Sequence, residues 1–196
     1  VFKKLVNLGK LKLPSDEEAF RNTVSTHLIL KKSGYSRYEI SNYCLPRHQS
    51  RHNRVYWSGL GWWSFGQGST SLPWGEKLTR PRVSKEYKEW VIDQCENGLD
   101  RSLTNKELRY QELDEKIMLG LRLKEGVDIY KLFMEQNWNK LESEINLRKL
   151  LKQWNKFLES GILIKSGNRF FLSDPKGMEL CNQVLISMFN WWDKIN

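Results

Sequence analysis

The sequence predicts a mixed α/β protein in which a helix and a short strand precede a mainly helical second half. An N-terminal capping pattern with apolar residues at helical spacing covers residues 15–34. A β-prone run follows at 38–43, and helical periodicity returns after residue 104, interrupted by a hairpin pattern at 162–172. This alternation of element types indicates packed layers of helix and sheet.

The first helix has a defined start and a defined end in the sequence. Ser15 followed by Glu18 forms a capping box, and the last turn is followed by Gly34, which suits a helix C-terminus. Apolar residues between them recur at helical spacing: Phe20, Val24 and Leu28. We expect one amphipathic helix that leads into the following strand.

The run 38–43 predicts a short strand, because it is rich in β-prone residues and Pro46 follows it closely. We expect residues 44–58 to form a loop beyond the C-terminal end of this strand. Ligand sites of α/β folds are usually assembled at that end of the strands.

Glycines punctuate the next stretch and are interleaved with large aromatic residues. The glycines are Gly59, Gly61, Gly66, Gly68 and Gly75, and the aromatics are Trp62, Trp63, Phe65 and Trp74. Two interpretations stay open: close approach of the backbone to a ligand, or an irregular loop packed on aromatic rings. The Gly-x-Gly at 66–68 lacks the third glycine of the dinucleotide fingerprint, so a nucleotide-binding fold is not indicated.

A change in pattern near residues 98–104 predicts a domain boundary. Helical spacing at 84–97 ends at Gly98, and Thr104 with Glu107 starts a second capping box. We therefore expect two domains, at 1–100 and 101–196.

The second half predicts a winged-helix-like module. Helices are expected to about residue 123, at 129–136 and at 141–160, followed by strands 162–165 and 169–172 around a turn at 166–168. A terminal helix then begins with Pro175 at its first position. Its apolar face is expected to carry Met178, Cys181, Leu185, Met188 and Phe189, with Trp191 and Trp192 as a lid on the core.

The composition favours an anionic partner but does not identify it. The formal net charge is +9 over 196 residues, which suits porphyrin carboxylates, nucleic acid or peripheral contact with an anionic membrane. Three widely spaced cysteines do not suggest a disulfide framework, and no apolar run is long enough for a membrane span or a signal peptide. We expect a soluble cytoplasmic protein.

The run 51–57 carries the strongest functional signal. It reads Arg51-His52-Asn53-Arg54-Val55-Tyr56-Trp57, and no Asp or Glu occurs between residues 40 and 60. Imidazole is a common axial ligand of haem iron, the aromatics suit an apolar ring face, and Arg47, Arg51 and Arg54 suit propionate carboxylates. On residue type alone, a core or rim histidine is the simpler alternative.

Three blocks around this run resemble the HemW family, which is related to oxygen-independent coproporphyrinogen III oxidase. They are Tyr38-Glu39-Ile40-Ser41-Asn42-Tyr43, Arg51-His52-Asn53-x-x-Tyr56-Trp57 and Phe65-Gly66-Gln67-Gly68-Ser69-Thr70. A fourth block, at 118–128, resembles the start of the family's C-terminal domain. The resemblance implies the C-terminal part of a radical S-adenosylmethionine partial TIM-like barrel, followed by the winged-helix-like domain.

The resemblance also implies haem binding and haem delivery to acceptor proteins. We expect His52 to be the axial metal ligand, with the rest of the haem site contributed by Arg51, Asn53, Arg54, Tyr56, Trp57, Gly66 and Gly68. The family's usual His-Ser is absent after Gly68, where Ser69-Thr70-Ser71 stand.

The resemblance further implies a [4Fe-4S] cluster and S-adenosylmethionine, yet the family's Cys-x-x-x-Cys-x-x-Cys motif is absent here. The cysteines are Cys44, Cys95 and Cys181. We therefore expect a C-terminal portion whose partner is a missing N-terminal radical S-adenosylmethionine domain, and which is not catalytic on its own.

Three alternatives remain open at this point. A full-length parent would be an oxygen-independent coproporphyrinogen III oxidase-like enzyme, although the His-Asn-x-x-Tyr-Trp block favours the chaperone branch. A winged helix suits nucleic acid, although the mixed charges of 141–160 disfavour it. A zinc-like set of Cys44, His48 and His52 would need a continuous helix, which Pro46 disfavours.

Overall fold

A computed structural model describes residues 2–73, 77–98, 112–136 and 138–195, which form a mixed α/β fold as predicted. We call residues 2–98 the first segment and residues 112–195 the second segment. The predicted boundary at residue 100 and the capping box at Thr104 lie outside the described residues. The division into two domains therefore stays a prediction.

The first segment combines helices with two small antiparallel sheets. Its elements are α1 (Phe2–Asn7), α2 (Asp16–Lys32), β1 (Ser36–Arg37), β2 (Tyr43–Cys44), α3 (Arg51–Trp57), β3 (Thr70–Ser71), β4 (Leu78–Thr79) and α4 (Ser84–Asn97). β1 pairs with β2, and β3 pairs with β4. The predicted capping box of Ser15 with Glu18 is present at the start of α2, and Gly98 ends α4 as predicted.

The predicted strand at 38–43 is wrong in its bounds, because a turn occupies most of that run. The fully buried Glu39 carboxylate accepts hydrogen bonds from the Ser41 backbone N–H and the Asn42 side-chain amide. Such local side-chain bonds compete with a strand ladder. The chain therefore reverses, and the paired residues are Ser36 with Cys44 and Arg37 with Tyr43.

The expected loop at 44–58 is also partly wrong, because its second half is the helix α3. Ser50 is the N-cap, and its hydroxyl accepts the backbone N–H of Asn53 at 3.3 Å. A serine cap satisfies one of the donors that a helix leaves open at its start. The site residues at 51–57 are therefore arranged with helical and not extended spacing.

The second segment contains α5 (Leu113–Leu121), β5 (Val127–Asp128), α6 (Ile129–Met134), α7 (Lys140–Glu159), β6 (Leu163–Ser166), β7 (Arg169–Leu172), α8 (Lys176–Glu179) and α9 (Cys181–Trp192). The predicted hairpin is confirmed, although its turn is only Gly167 and Asn168. The strand β5 adds to β7, so the wing is a three-stranded antiparallel sheet with the order β5-β7-β6.

The predicted terminal helix is divided in two at Leu180, and Pro175 precedes α8 as its N-cap. Trp191 is not a lid, because it is buried and stacks on Phe133 with ring centroids 5.7 Å apart. Trp192 is partly buried beside it, with ring centroids 5.8 Å apart. The two tryptophans thus belong to the core and its edge.

Burial is distributed very unevenly between the segments. In the described first segment, the buried apolar side chains are Tyr38, Cys44 and Leu72, and α1 to α4 contain no buried residue. The second segment holds one continuous apolar cluster, which α7 enters through Leu147, Leu150, Trp154 and Phe157. Burial of apolar surface is the main favourable term in folding, so the second segment supplies most of the stability.

Backbone hydrogen bonds join the two segments beside the turn at 38–43. Glu39 forms a β-bridge with Leu123, the Ile40 N–H donates to the Arg122 carbonyl at 2.8 Å, and the Lys124 N–H donates to the Tyr38 carbonyl at 3.1 Å. This turn is therefore attached to the end of α5. Within the described ranges, no helix has the length and apolar character that crossing a bilayer requires.

We predict that Leu150→Ala lowers the free energy of unfolding by about 2–5 kcal/mol, because it leaves a cavity in the core of the second segment. Leu150 is 0% exposed, whereas Leu141 on the same helix is 62% exposed. The control Leu141→Ala should change the free energy by less than about 0.5 kcal/mol. Urea unfolding followed by circular dichroism measures both, and equal losses would contradict the assigned core.

Candidate functional site

The helix α3 is held in place by residues on both sides of it. The Asn53 side-chain amide donates to the Tyr38 hydroxyl at 3.2 Å, and the guanidinium of Arg54 forms an ion pair with Glu125. The guanidinium of Arg122 lies over the Trp57 ring at 5.4 Å. Two of these three contacts come from the second segment, so residues at and just after the end of α5 orient α3.

Because 51–57 is helical, the predicted site residues are separated onto different faces of α3. Asn53, Tyr56 and Trp57 line one pocket, whereas Arg51 and Arg54 line another. His52 lines neither and is exposed. These residues are neighbours in the sequence, but in the helix the aromatic side chains lie on one side and the arginine side chains on another.

The aromatic side of α3 borders a pocket of about 460 Å³, which we call the aromatic pocket. Pockets that bind small molecules usually have volumes of about 300–1,000 Å³. Its lining residues are Glu39, Ser41, Asn42, Asn53, Tyr56, Trp57, Trp62, Lys77, Glu115, Met118 and Leu119. Both segments contribute to this pocket, and its large side chains are mainly aromatic and apolar.

The cationic side of α3 borders a pocket of about 340 Å³, which we call the arginine groove. It is lined by Arg47, Gln49, Arg51, Arg54, Val55, Ser58 and Leu60. Glu125 neutralises Arg54, whereas Arg47 and Arg51 make no ion pair with any residue in the described ranges. Two guanidinium groups therefore remain available for an anion, and the third is already occupied.

His52 is held by an aromatic neighbour one helical turn away. Its Nε2 lies 3.0 Å from the Tyr56 hydroxyl, and the two rings meet edge to face with centroids 4.8 Å apart. The Tyr56 ring also packs on Trp62 at 4.6 Å. Among the described residues, Nδ1 of His52 has no hydrogen-bond partner, so one ring nitrogen is open on an exposed side chain.

Gly66 and Gly68 line neither of these two pockets. Both have left-handed backbone conformations, with φ of 93° and 65°, and a Cβ on Gly68 would lie 2.9 Å from Cγ of Arg82. Glycine is therefore explained at residue 66 by the backbone conformation alone, and at residue 68 by the conformation and by the lack of space.

The buried Arg80 fastens the loop that contains these glycines. Its Nη1 donates to the hydroxyls of Ser64, Ser69 and Ser71 at 2.9–3.3 Å. The guanidinium also lies 5.4 Å from the centre of the Trp90 ring. These contacts connect the loop to β3, to β4 and to α4.

The cysteines do not fit a [4Fe-4S] cluster. Cys44 and Cys181 are buried in different segments, and Cys95 is exposed on α4. No group of three or more His, Cys, Asp or Glu side chains arranged for a metal ion occurs in the described part of the chain. The zinc-like set also lacks its required helix, because His48 precedes α3 and its Nδ1 lies 2.9 Å from the Pro46 carbonyl.

Sequence reasoning missed most of the aromatic pocket, because only Asn53, Tyr56 and Trp57 of its lining residues were predicted as site residues. Glu115, Met118 and Leu119 lie on α5, more than fifty residues after α3, and no local pattern connects them with His52. Glu39 carried a usable signal, because it stands inside a block that resembles the HemW family. Nothing in that block, however, predicts that its carboxylate is fully buried beside the pocket.

Comparison with known proteins identifies relatives over nearly the whole chain. It is 31% identical over 96% of its length to "Heme chaperone HemW" of Synechocystis sp., 27% identical over 94% to the protein of that name from Bacillus subtilis, and 28% identical over 93% to "Radical S-adenosyl methionine domain-containing protein 1, mitochondrial" of Danio rerio. These matches cover 48%, 46% and 40% of the relatives, so the chain spans about half their length. No family model matches the chain.

The fold is shared with a solved enzyme. "Coproporphyrinogen III oxidase (HemN) from Escherichia coli is a Radical SAM enzyme" describes a structure that matches 91% of this chain and 43% of its own, with a TM-score of 0.60 at 16% identity. The chain is thus similar over most of its length to proteins named HemW and has the corresponding part of the HemN fold, and the resemblance inferred from sequence is confirmed.

We predict that one thiol of the three reacts with a disulfide reagent at about pH 8 in the folded chain, because the thiolate is the reactive form. Cys95 is exposed, whereas burial raises the pKa of Cys181 to about 11 and Cys44 is enclosed. Cys181 therefore stays protonated until the pH approaches that value. Cys95→Ser should abolish the reaction, and all three thiols of the wild-type chain should react in denaturant. If two thiols reacted rapidly in the folded chain, the assigned burial of Cys44 and Cys181 would be wrong.

Proposed function

We propose that this chain binds haem beside α3, with His52 as the axial ligand, and passes haem to acceptor proteins. The observation that carries the proposal is the exposed His52 imidazole, which has one open ring nitrogen and is held through the other by Tyr56. The names of the relatives support the choice of ligand. Haem is the cargo in this proposal.

The hydrogen bond with Tyr56 selects which nitrogen of His52 reaches the iron. If Nε2 carries the proton and donates it to the Tyr56 hydroxyl oxygen, the lone pair of the neutral ring lies on Nδ1. Metal-bound histidines usually donate their other N–H in this way, which fixes the ring and its tautomer. We therefore assign Nδ1 as the ligand atom and Tyr56 as the residue that positions it.

The arginine groove supplies the charge that haem propionates need. Arg47 and Arg51 have no ion pair within the described ranges, and a guanidinium binds a carboxylate through two parallel hydrogen bonds. Arg54 contributes less in this proposal than the sequence predicts, because its charge is already paired with Glu125. The packed rings of Tyr56 and Trp62 supply the apolar surface in this proposal.

The remaining functions of the family are assigned to polypeptide outside this chain. The cysteines present do not fit a [4Fe-4S] cluster, so we propose that the cluster and S-adenosylmethionine are held by a radical S-adenosylmethionine domain in the part of the relatives that this chain does not match. Three free cysteines support action in the reducing cytoplasm.

We predict that hemin titrated into the purified chain gives a saturable shift of the Soret band, and that His52→Ala abolishes this shift because the ligating nitrogen is lost. His48→Ala is the matched control, because His48 is an exposed histidine four residues earlier that lies outside the helix. Equal losses from both variants would contradict ligation by His52 alone. A saturable shift that persists in His52→Ala would exclude His52 as the ligand.

We predict that Tyr56→Phe weakens haem binding by about ten-fold while the Soret position is kept, because the variant removes the positioning hydrogen bond and leaves Nδ1 free. The same titration measures this change. Tighter binding would instead mean that the Tyr56 hydroxyl competes with iron for Nε2, and the assignment of Nδ1 would then be wrong.

A further inference from the structure

Arg80 carries a buried positive charge that no carboxylate of the described residues neutralises. Arg80 is 5% exposed and forms no ion pair within those ranges. Arg37, which is buried to a similar degree, lies beside the carboxylates of Asp174 and Glu179. Proteins normally pair a buried charge with an opposite charge, because its removal from water is costly. The charge of Arg80 therefore needs an explanation that the charge of Arg37 does not.

One edge of the Arg80 guanidinium is filled by neutral groups. Nη1 donates to the Ser71 hydroxyl at 2.9 Å and to the hydroxyls of Ser64 and Ser69 at 3.3 Å. These hydroxyls accept hydrogen bonds, but they supply no negative charge. The Trp90 ring lies 5.4 Å from the guanidinium and offers the weaker attraction of an aromatic face. The contacts of Arg80 thus hold its side chain in place without neutralising it.

The other edge of the guanidinium has free donors. Nε and Nη2 carry three of the five N–H groups of an arginine, and they donate to no acceptor in the part of the chain that the structure describes. Neither nitrogen is completely buried, so the small exposed part of Arg80 includes this edge. We call the edge formed by Nε and Nη2 the Arg80 fork.

The geometry of the Arg80 fork suits an oxyanion. A guanidinium binds a carboxylate or phosphate group through two parallel N–H···O bonds, and such charge-assisted bonds are about twice as strong as neutral ones. A role in fastening the loop does not require this edge, because all three serine hydroxyls are held by Nη1. A lysine would supply three donors to the same three hydroxyls. The fork is therefore surplus to the structural role of Arg80.

The burial of Arg80 limits the size of the ligand. Since Arg80 is only 5% exposed, the opening over the fork is narrow. A phosphodiester within a nucleic acid strand or a carboxylate on a large ring carries bulky neighbours that such an opening excludes. A small free ion fits these observations better.

We propose that the Arg80 fork is a binding site for a small oxyanion, either inorganic phosphate or a small carboxylate. The bound ion neutralises the buried charge and strengthens the attachment of the loop at 64–71 to α4, which Arg80 reaches through Trp90. The proposal does not depend on haem binding, because neither Arg80 nor its serine partners line the aromatic pocket or the arginine groove.

The test titrates inorganic phosphate and, separately, acetate into the full 196-residue chain by isothermal calorimetry at constant ionic strength. Arg80→Lys keeps the charge and three donors for the serine hydroxyls but lacks the fork. Arg80→Gln removes the charge. The matched control is Arg82→Gln, which removes the charge of an exposed arginine two residues later. Circular dichroism checks that each variant is folded.

We expect the wild type and Arg82→Gln to bind one oxyanion per chain, and Arg80→Gln to bind none. Arg80→Lys should bind at least about ten-fold more weakly, because the two parallel hydrogen bonds are lost. If Arg80→Gln fails to fold, the comparison of the wild type with Arg80→Lys decides. The ion that binds more tightly shows whether phosphate or carboxylate is the better ligand.

Binding of neither phosphate nor acetate to the wild type would overturn the proposal. Equal binding by the wild type and Arg80→Lys would also overturn it, because the ion would then lie elsewhere, for example in the arginine groove. Loss of binding in Arg82→Gln that equals the loss in Arg80→Gln would assign the effect to the general surface charge and not to the fork.

Discussion

The buried guanidinium of Arg37 is the interaction on which the assembly of the two segments depends. Its Nη1 donates to a Glu179 carboxylate oxygen at 3.0 Å, its Nε lies 3.4 Å from Asp174, and it also donates to the Tyr43 hydroxyl. Burial alone would lower the pKa of Arg37, but the hydrogen bonds with Tyr43 and Glu179 and the charge of Asp174 outweigh it and raise the pKa. A buried cation that lost these carboxylates would be strongly destabilising, so β1 must stay beside α8.

The position of the candidate site follows from this contact. Arg37 fixes β1, and the next residues, Tyr38 and Glu39, join the second segment through backbone bonds with Leu123 and Lys124. The Tyr38 hydroxyl then accepts from Asn53 and so positions α3. A polar interaction near the second segment's last helices thus determines where α3, and with it the His52 imidazole, lies.

The parts of the fold that sequence predicted correctly are those whose cause is local. The caps of α2 and the hairpin of β6 and β7 depend on residues within one or two turns of each other, and the structure confirms both. The helix α3 was missed because Pro46 and the β-prone run before it dominated the pattern, while Ser50 gave only a weak cap signal. The aromatic pocket required α5, and only tertiary contacts connect α5 with α3.

Although the first segment is weakly packed, the candidate site beside α3 is held by contacts with the second segment. Arg122 covers the Trp57 ring, and Glu125 pairs with Arg54, so α3 is attached to the end of α5, whose apolar residues belong to the main core. α2 has no comparable apolar attachment. Local opening has the lowest free energy where few apolar contacts hold an element. Loosening of α2 therefore leaves the contacts of α3 intact, and the candidate site beside α3 is expected to be stable in that state.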